Sequence, residues 1–231
     1  MAHAASRPDA LAVITTLRKA ASRRVLAGYG RFALPTERAL GIAMHRLHAI
    51  AKRLGRRHDL VDALWASGIY EARLLVAFVA DPAALTKAQM DRWCRDFDNW
   101  GVVDTMCFHL FDRSGHAWSR IAKWRTRQPE FERRAAFALL ASLALHDKGS
   151  GDAPFRRALP WIASAATDPR NFVKKGVLWA LRGIGGRSPD LHAGALALAA
   201  RLAAGKDVTA RWIGHAAARE LKKRAPRQPV G

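Results

Sequence analysis

Residues 129–146 read PEFERRAAFALLASLALH and residues 168–184 read DPRNFVKKGVLWALRGI. Each stretch runs from a proline through an aromatic residue and a basic pair into an apolar run. The apolar residues recur at three- and four-residue steps, which is one face of an α-helix, and the proline marks where each helix begins. Two such stretches in one chain raise the possibility of a repeat. KDVTARWIGHAAARELKK at 206–223 carries the theme onward with Arg211, and GIYEARLLVAFVA at 68–80 carries it back with Arg73. NWGVVDTMCFHLF at 99–111 falls into the same register. One repeat position then holds Arg73, Asp104, Arg134, Lys175 and Arg211, roughly 30–40 residues apart, the spacing of a helical-hairpin solenoid with uneven loops.

Outward from this core, helical periodicity continues to both ends, as in TERALGIAMHRLHAIAKRLG at 36–55 and GALALAARLAAG at 194–205. No stretch alternates apolar and polar residues for long enough to make a strand. Proline and glycine fall between the helical segments, and the connections are short. The expectation is an all-α protein: a HEAT-like helical-repeat superhelix, or α-solenoid, with a concave basic face. It would form a single repeat domain over 1–231. Within it, 1–39 are N-terminal helices that match the repeat weakly, 40–225 the repeat core and 226–231 a tail.

The 231 residues include 39 Lys and Arg against 19 Asp and Glu, a formal net charge of +20. Charge of that size destabilises a compact chain by self-repulsion unless it meets an anionic partner. Nucleic acid is the first candidate and an anionic membrane surface the second. Two cysteines, Cys94 and Cys107, make no disulfide framework, and no Cys/His cluster has metal-ligand spacing. No signal peptide stands at the start, and no apolar run reaches the ~18 residues of a membrane span. A soluble, intracellular and monomeric protein is expected, cytoplasmic and associated with the nucleoid when bound to DNA. GIGG at 183–186 follows a helix and reads as its cap, not as a phosphate loop. Glu71 and Glu132 precede basic residues and read as local ion pairs, and His109 reads as packing.

At the shared repeat position, four residues are cationic and one is Asp104. That carboxylate either bridges its neighbours or meets a developing positive charge. Most of the eight tryptophans read as packing. Trp100 and Trp179 differ, because Trp100 lies four residues before Asp104 and Trp179 four residues after Lys175. A four-residue offset on a helix puts both side chains on one face. Aromatic faces beside charged groups suit sugars, bases and cationic ligands. No recognition-helix signature is present, so binding through the nucleic-acid backbone is expected.

DFDNWGVVDTM, EFERRAAFALLASLALHDK and DPRNFVKKGVLWALRGIG together resemble the signature stretches of the HEAT-like-repeat DNA alkylation repair enzymes, the AlkD-like DNA glycosylases. The resemblance runs from about Leu40 through the last repeat. It implies a superhelix that binds duplex DNA and excises cationic N3- and N7-alkylated purines, with no cofactor and no metal. It implies that Trp100, Asp104 and Trp179 lie against the sugar of the damaged nucleotide as the catalytic group. An arginine gripping the backbone falls in the pair Arg133–Arg134, and the repeat register favours Arg134. Lys174, Lys175, Arg73, Arg211 and Arg182 extend the DNA-binding set, and Tyr29 in AGYGRF aligns with an N-terminal tyrosine of the family. The chain departs from the family's W-D-x-x-D pattern by placing Gly101 after Trp100. Three readings follow: a monofunctional alkylpurine DNA glycosylase, a HEAT-like protein that binds DNA structures without excising bases, and a protein-interaction solenoid.

Overall fold

The computed structural model describes residues 6–223. Arg224 and the expected tail at 226–231 lie outside the described residues, as do residues 1–5. Among the described residues every regular element is helical: α1 (Ser6–Lys19), α2 (Arg23–Leu26), α3 (Met44–Leu54), α4 (Val61–Ala66), α5 (Tyr70–Val79), α6 (Lys87–Arg95), α7 (Trp100–His109), α8 (Ala117–Trp124), α9 (Glu130–His146), α10 (Ala153–Ala165), α11 (Asn171–Gly185), α12 (Pro189–Ala203) and α13 (Val208–Lys222). Short 3₁₀ turns punctuate the first half, including Tyr29–Phe32. The chain divides into two compact units, one running to Gly115 and the other starting at His116.

In the first unit α5 is the central helix, packed by α3, α4 and α7. Its residues Leu74, Leu75 and Val76 are sealed from solvent, which is what a run of apolar residues without a polar face requires. The tryptophans Trp65 and Trp93 stack with centroids 5.1 Å apart, and Trp93 stacks in turn on Phe111. His109 packs against Phe78 at 4.9 Å and His48 at 6.5 Å, in line with its reading as a packing residue.

In the second unit α9, α11 and α13 form one row and α10 and α12 another, with α8 against α9. The α9–α11 seam is built from small residues. A Cβ on Gly176 would touch Phe137 at 3.5 Å, and one on Gly183 would touch Ala141 at 3.4 Å. At Gly214 the approach is closer: a Cβ there would lie 2.4 Å from the Ala203 backbone nitrogen, so only glycine lets α13 reach α12. Gly186 ends α11, its N–H reaching the carbonyl of Arg182, as the GIGG reading anticipated.

The repeat register is visible in the helices. Arg73 and Arg211 are the fourth residues of α5 and α13, and Asp104, Arg134 and Lys175 are the fifth residues of α7, α9 and α11. The position is thus shared by every second helix. Among the described residues no helix is long and apolar enough to cross a membrane, and no group of three His, Cys, Asp or Glu side chains could hold a metal ion.

Candidate active site

Helix α7 starts at Asn99, whose backbone is extended and whose side-chain oxygen accepts the N–H of Val102 at 2.9 Å. This cap fixes Trp100 as the first helical residue and puts Asp104 one turn later on the same face. Both side chains are half-buried. The Trp100 indole Nε1 donates to the backbone carbonyl of Phe32 at 2.8 Å, which ties the ring to the 3₁₀ turn Tyr29–Phe32.

Behind this face lies a cluster from α5. A Cβ on Gly101 would sit 2.5 Å from the Tyr70 hydroxyl and 2.8 Å from Leu34 Cδ2. Gly101 is therefore where the Tyr70 hydroxyl approaches the helix, in the place a longer side chain would fill. Burial pushes the Tyr70 hydroxyl well above the ordinary phenol range, and the charges of Glu71 and Asp104 push it further. Tyr29 stands edge-on to Tyr70, ring centroids 5.7 Å apart, and donates to Glu71 Oε1 at 3.1 Å. Burial and Glu71 likewise raise the Tyr29 hydroxyl.

Glu71 corrects one expectation. Among the described residues it makes no ion pair; it is sealed from solvent and its carboxylate accepts the N–H groups of Leu40, Gly41 and Ile42 at 2.8, 2.7 and 3.2 Å, besides the Tyr29 hydroxyl. Three successive amides wrapped on one carboxylate form an anion-binding nest. Gly41 makes this possible with φ 72°. Glu71 thereby fixes the N-terminal segment that carries Tyr29 and the Phe32 carbonyl against α5. Glu132, by contrast, does lie beside a cation, with Arg127 Nε at 3.8 Å.

Arg73, from the same helix, is turned inward. Its guanidinium lies 5.1 Å over the Trp65 ring, donates to the Asp96 carbonyl at 3.2 Å and stands 3.6 Å from Asp98. It braces the loop that leads into α7.

In the second unit the helix starts carry the cations. Arg133 reaches Asp168 at 3.0 Å, and Arg134, buried to 6% exposure, donates to the Phe172 carbonyl at 2.8 Å. Lys174 Nζ lies 5.2 Å over the exposed ring of Trp212. Lys175 and Arg211 are exposed and make no ion pair among the described residues. Arg182 pairs with Glu220. Trp179 is half-buried on α11, one turn beyond Lys175.

Tyr29, Trp100 and Asp104 thus come together in the first unit through Tyr70, a residue that sequence reasoning passed over. Its signal was Gly101: a glycine one residue inside a capped helix asks what approaches there.

Comparison with known proteins bears on the family and the fold. The sequence profile of the DNA alkylation repair enzyme family covers residues 13–221. A solved structure described as "a new family of proteins related to the HEAT-like repeat DNA glycosylases with affinity for branched DNA structures" superposes with a TM-score of 0.76 at 19% identity, over 92% of this chain and 93% of that one. No curated protein sequence matches. A helical-hairpin array, a capped W-x-x-x-D helix and a profile match over nearly the whole length lead to one assignment: the chain belongs to the DNA alkylation repair enzyme family.

Proposed function

We propose that this protein is a monofunctional DNA glycosylase that removes cationic N3- and N7-alkylated purines from duplex DNA inside the cell, as a monomer and without a cofactor. The observation that carries the reading is Trp100 and Asp104, one turn apart and half-exposed on a single face of α7. A cationic alkylpurine is already a good leaving group, so no strong general acid is needed. As the C1′–N bond breaks, its electron pair leaves with the base, which becomes neutral, and positive charge moves onto the sugar. The Asp104 carboxylate stabilises that oxocarbenium-like charge and takes a proton from the attacking water. The Trp100 face adds cation–π attraction of about 0.5–2 kcal/mol. Trp179 and Arg134 are assigned to the sugar and the backbone by the family resemblance.

Base release from methylated duplex DNA tests this, with wild type and Asp104→Asn compared and DNA binding followed in parallel. Wild type is expected to free 7-methylguanine or 3-methyladenine. The variant is expected to lose release by about a hundredfold or more, the scale of a lost acid–base group, while still binding. Binding without release by wild type would sink the proposal.

A second reading has its own support: the structural relative is described by its affinity for branched DNA. A protein of this fold that binds DNA junctions without excising bases would prefer a four-way junction to a plain duplex and release nothing from either.

A further inference from the structure

We propose that the Phe32 phenyl is a DNA-contacting group of this site, packing on the deoxyribose of the nucleotide next to the one set against Trp100 and Asp104. The proposal rests on the reading above for the identity of the ligand, and on the geometry of the Tyr29–Phe32 turn for the contact itself.

Phe32 is 64% exposed. A single exposed apolar residue says nothing by itself. What sets Phe32 apart is the framework that holds it out. On one side of it the Tyr29 hydroxyl turns inward and donates to Glu71 at 3.1 Å. On the other side Leu34 turns inward, its Cδ2 2.8 Å from where a Cβ on Gly101 would stand. Between them the Ala33 N–H closes on the Gly30 carbonyl at 3.1 Å, and the Leu34 N–H on the Tyr29 carbonyl at 3.2 Å. The neighbours are spent on the interior and the phenyl is left outside.

Ala33 holds this bend in the left-handed region, with φ 51° and ψ 42°. Among the described residues it is the only non-glycine with a positive φ. Alanine seldom takes up that conformation, and such residues persist where the surrounding structure over-determines them, often beside a ligand. The anchoring by Glu71 and by Leu34 is that surrounding structure.

The turn is joined to the candidate site by its own backbone. The Phe32 carbonyl accepts the Trp100 indole N–H at 2.8 Å, so residue 32 and the indole are direct neighbours. A nucleotide set against the Trp100 ring therefore has its neighbour in the strand within reach of the phenyl. Arg31, the preceding residue of the turn, is exposed as well. An apolar group and a guanidinium on adjacent residues match the C–H surface of a deoxyribose and the phosphate beside it. Phe32 takes no part in bond breaking; it adds apolar contact and fixes the strand along α7.

The test compares wild type with Phe32→Ala and Phe32→Tyr. Affinity is measured on a duplex carrying one tetrahydrofuran abasic analogue, which cannot be excised, and single-turnover excision on a duplex carrying one 7-methylguanine. Phe32→Ala is expected to melt close to wild type, bind roughly fivefold or more weakly, and excise within twofold of wild type once protein saturates the DNA. Its log–log salt slope is expected to stay that of wild type, because no charge is removed. Phe32→Tyr, which keeps the ring, is expected to bind within twofold. In protein labelled with 4-fluorophenylalanine, the ¹⁹F resonance of residue 32, assigned by its absence from Phe32→Tyr, is expected to shift when the abasic duplex is added. Unchanged affinity of Phe32→Ala, an unshifted resonance, a changed salt slope, weak binding by Phe32→Tyr or a saturated excision rate far below wild type each overturns the proposal. So does a large drop in the melting temperature of Phe32→Ala, which would make the phenyl structural. If wild type binds DNA but excises nothing, the glycosylase reading falls on its own, and affinity and the ¹⁹F resonance decide for or against Phe32. If wild type binds no DNA, both fall.

Discussion

At position 101, alanine would ordinarily be the better residue, since glycine inside a helix costs about 0.5–1 kcal/mol relative to alanine. Here the balance reverses. The added methyl would meet the Tyr70 hydroxyl at 2.5 Å and Leu34 at 2.8 Å, and the tyrosine ring has little room to retreat. Overpacking of this kind costs about 1–3 kcal/mol, so Gly101→Ala is expected to destabilise. The closest contact is the phenol oxygen, and Tyr70→Phe removes it. Gly101→Ala is therefore expected to cost less in the Tyr70→Phe background, with a coupling on the order of 0.5 kcal/mol or more. Urea unfolding midpoints of the four proteins measure it, and an equal cost in both backgrounds would show that Tyr70 does not hold position 101. The same pair shows what the sequence makes legible at this scale. Trp100 and Asp104 are readable because their relation is local, one helical turn. Tyr70 and Glu71 are not, because their partners at Gly101 and at Leu40–Ile42 lie about thirty residues away on either side and meet them only through packing.

Between elements, the two stretches that reveal the repeat are also the ones that bind it together. Phe131 and Phe172 stand 5.1 Å apart, Glu130 accepts the Phe172 N–H at 2.9 Å, and Arg134 donates to the Phe172 carbonyl. Asp168, its side chain 4% exposed, accepts from Arg133 at 3.0 Å and from Arg170 at 2.5 Å, closing the start of α11 against the start of α9. The Arg170 hydrogen bonds, ahead of the Arg133 charge, hold the Asp168 carboxyl below its ordinary value of 3.8. A carboxyl held low in the fold adds stability above its unfolded pKa and loses it as the pH falls through the folded one. Asp168→Asn is thus expected to lower stability by about 1.5–3 kcal/mol near neutral pH, the worth of hydrogen bonds to a charged group. The gap between variant and wild type is expected to narrow below about pH 4. Thermal unfolding at pH 7 and pH 3 measures both, and a gap that stays constant would show that the carboxylate charge is not the clamp. The helices themselves were legible, because periodicity and caps such as Asn99, Ser188 and Asp207 are written locally. The segment from Leu34 to Ala43 was not, since its backbone is held by Glu71 and not by its own pattern.

For the whole molecule the question is where the net charge of +20 is placed and what it costs. Cations gather at helix starts: Arg133 and Arg134 on α9, Lys174 and Lys175 on α11, Arg211 on α13. A helix N-terminus already carries partial positive charge, so each cation there opposes the dipole by about 0.3–1 kcal/mol. Such an arrangement would serve an anionic partner, because backbone N–H groups and exposed side-chain charge at a helix start can meet one phosphate. The cations are not equivalent, however. Arg182 is spent on Glu220, whereas Lys175 stands exposed without an ion pair among the described residues. Binding to duplex DNA is expected to weaken linearly in log–log form with salt, with a slope of about −0.9 per phosphate neutralised. Lys175→Gln should reduce that slope by about one and weaken binding alike on any sequence. Arg182→Gln should leave the slope nearly unchanged, since its charge is already compensated within the protein. Fluorescence anisotropy across a salt series, on two duplexes of unrelated sequence, separates the cases. Equal slopes for wild type and Lys175→Gln would remove α11 from the DNA contact and shift the search to other helix starts.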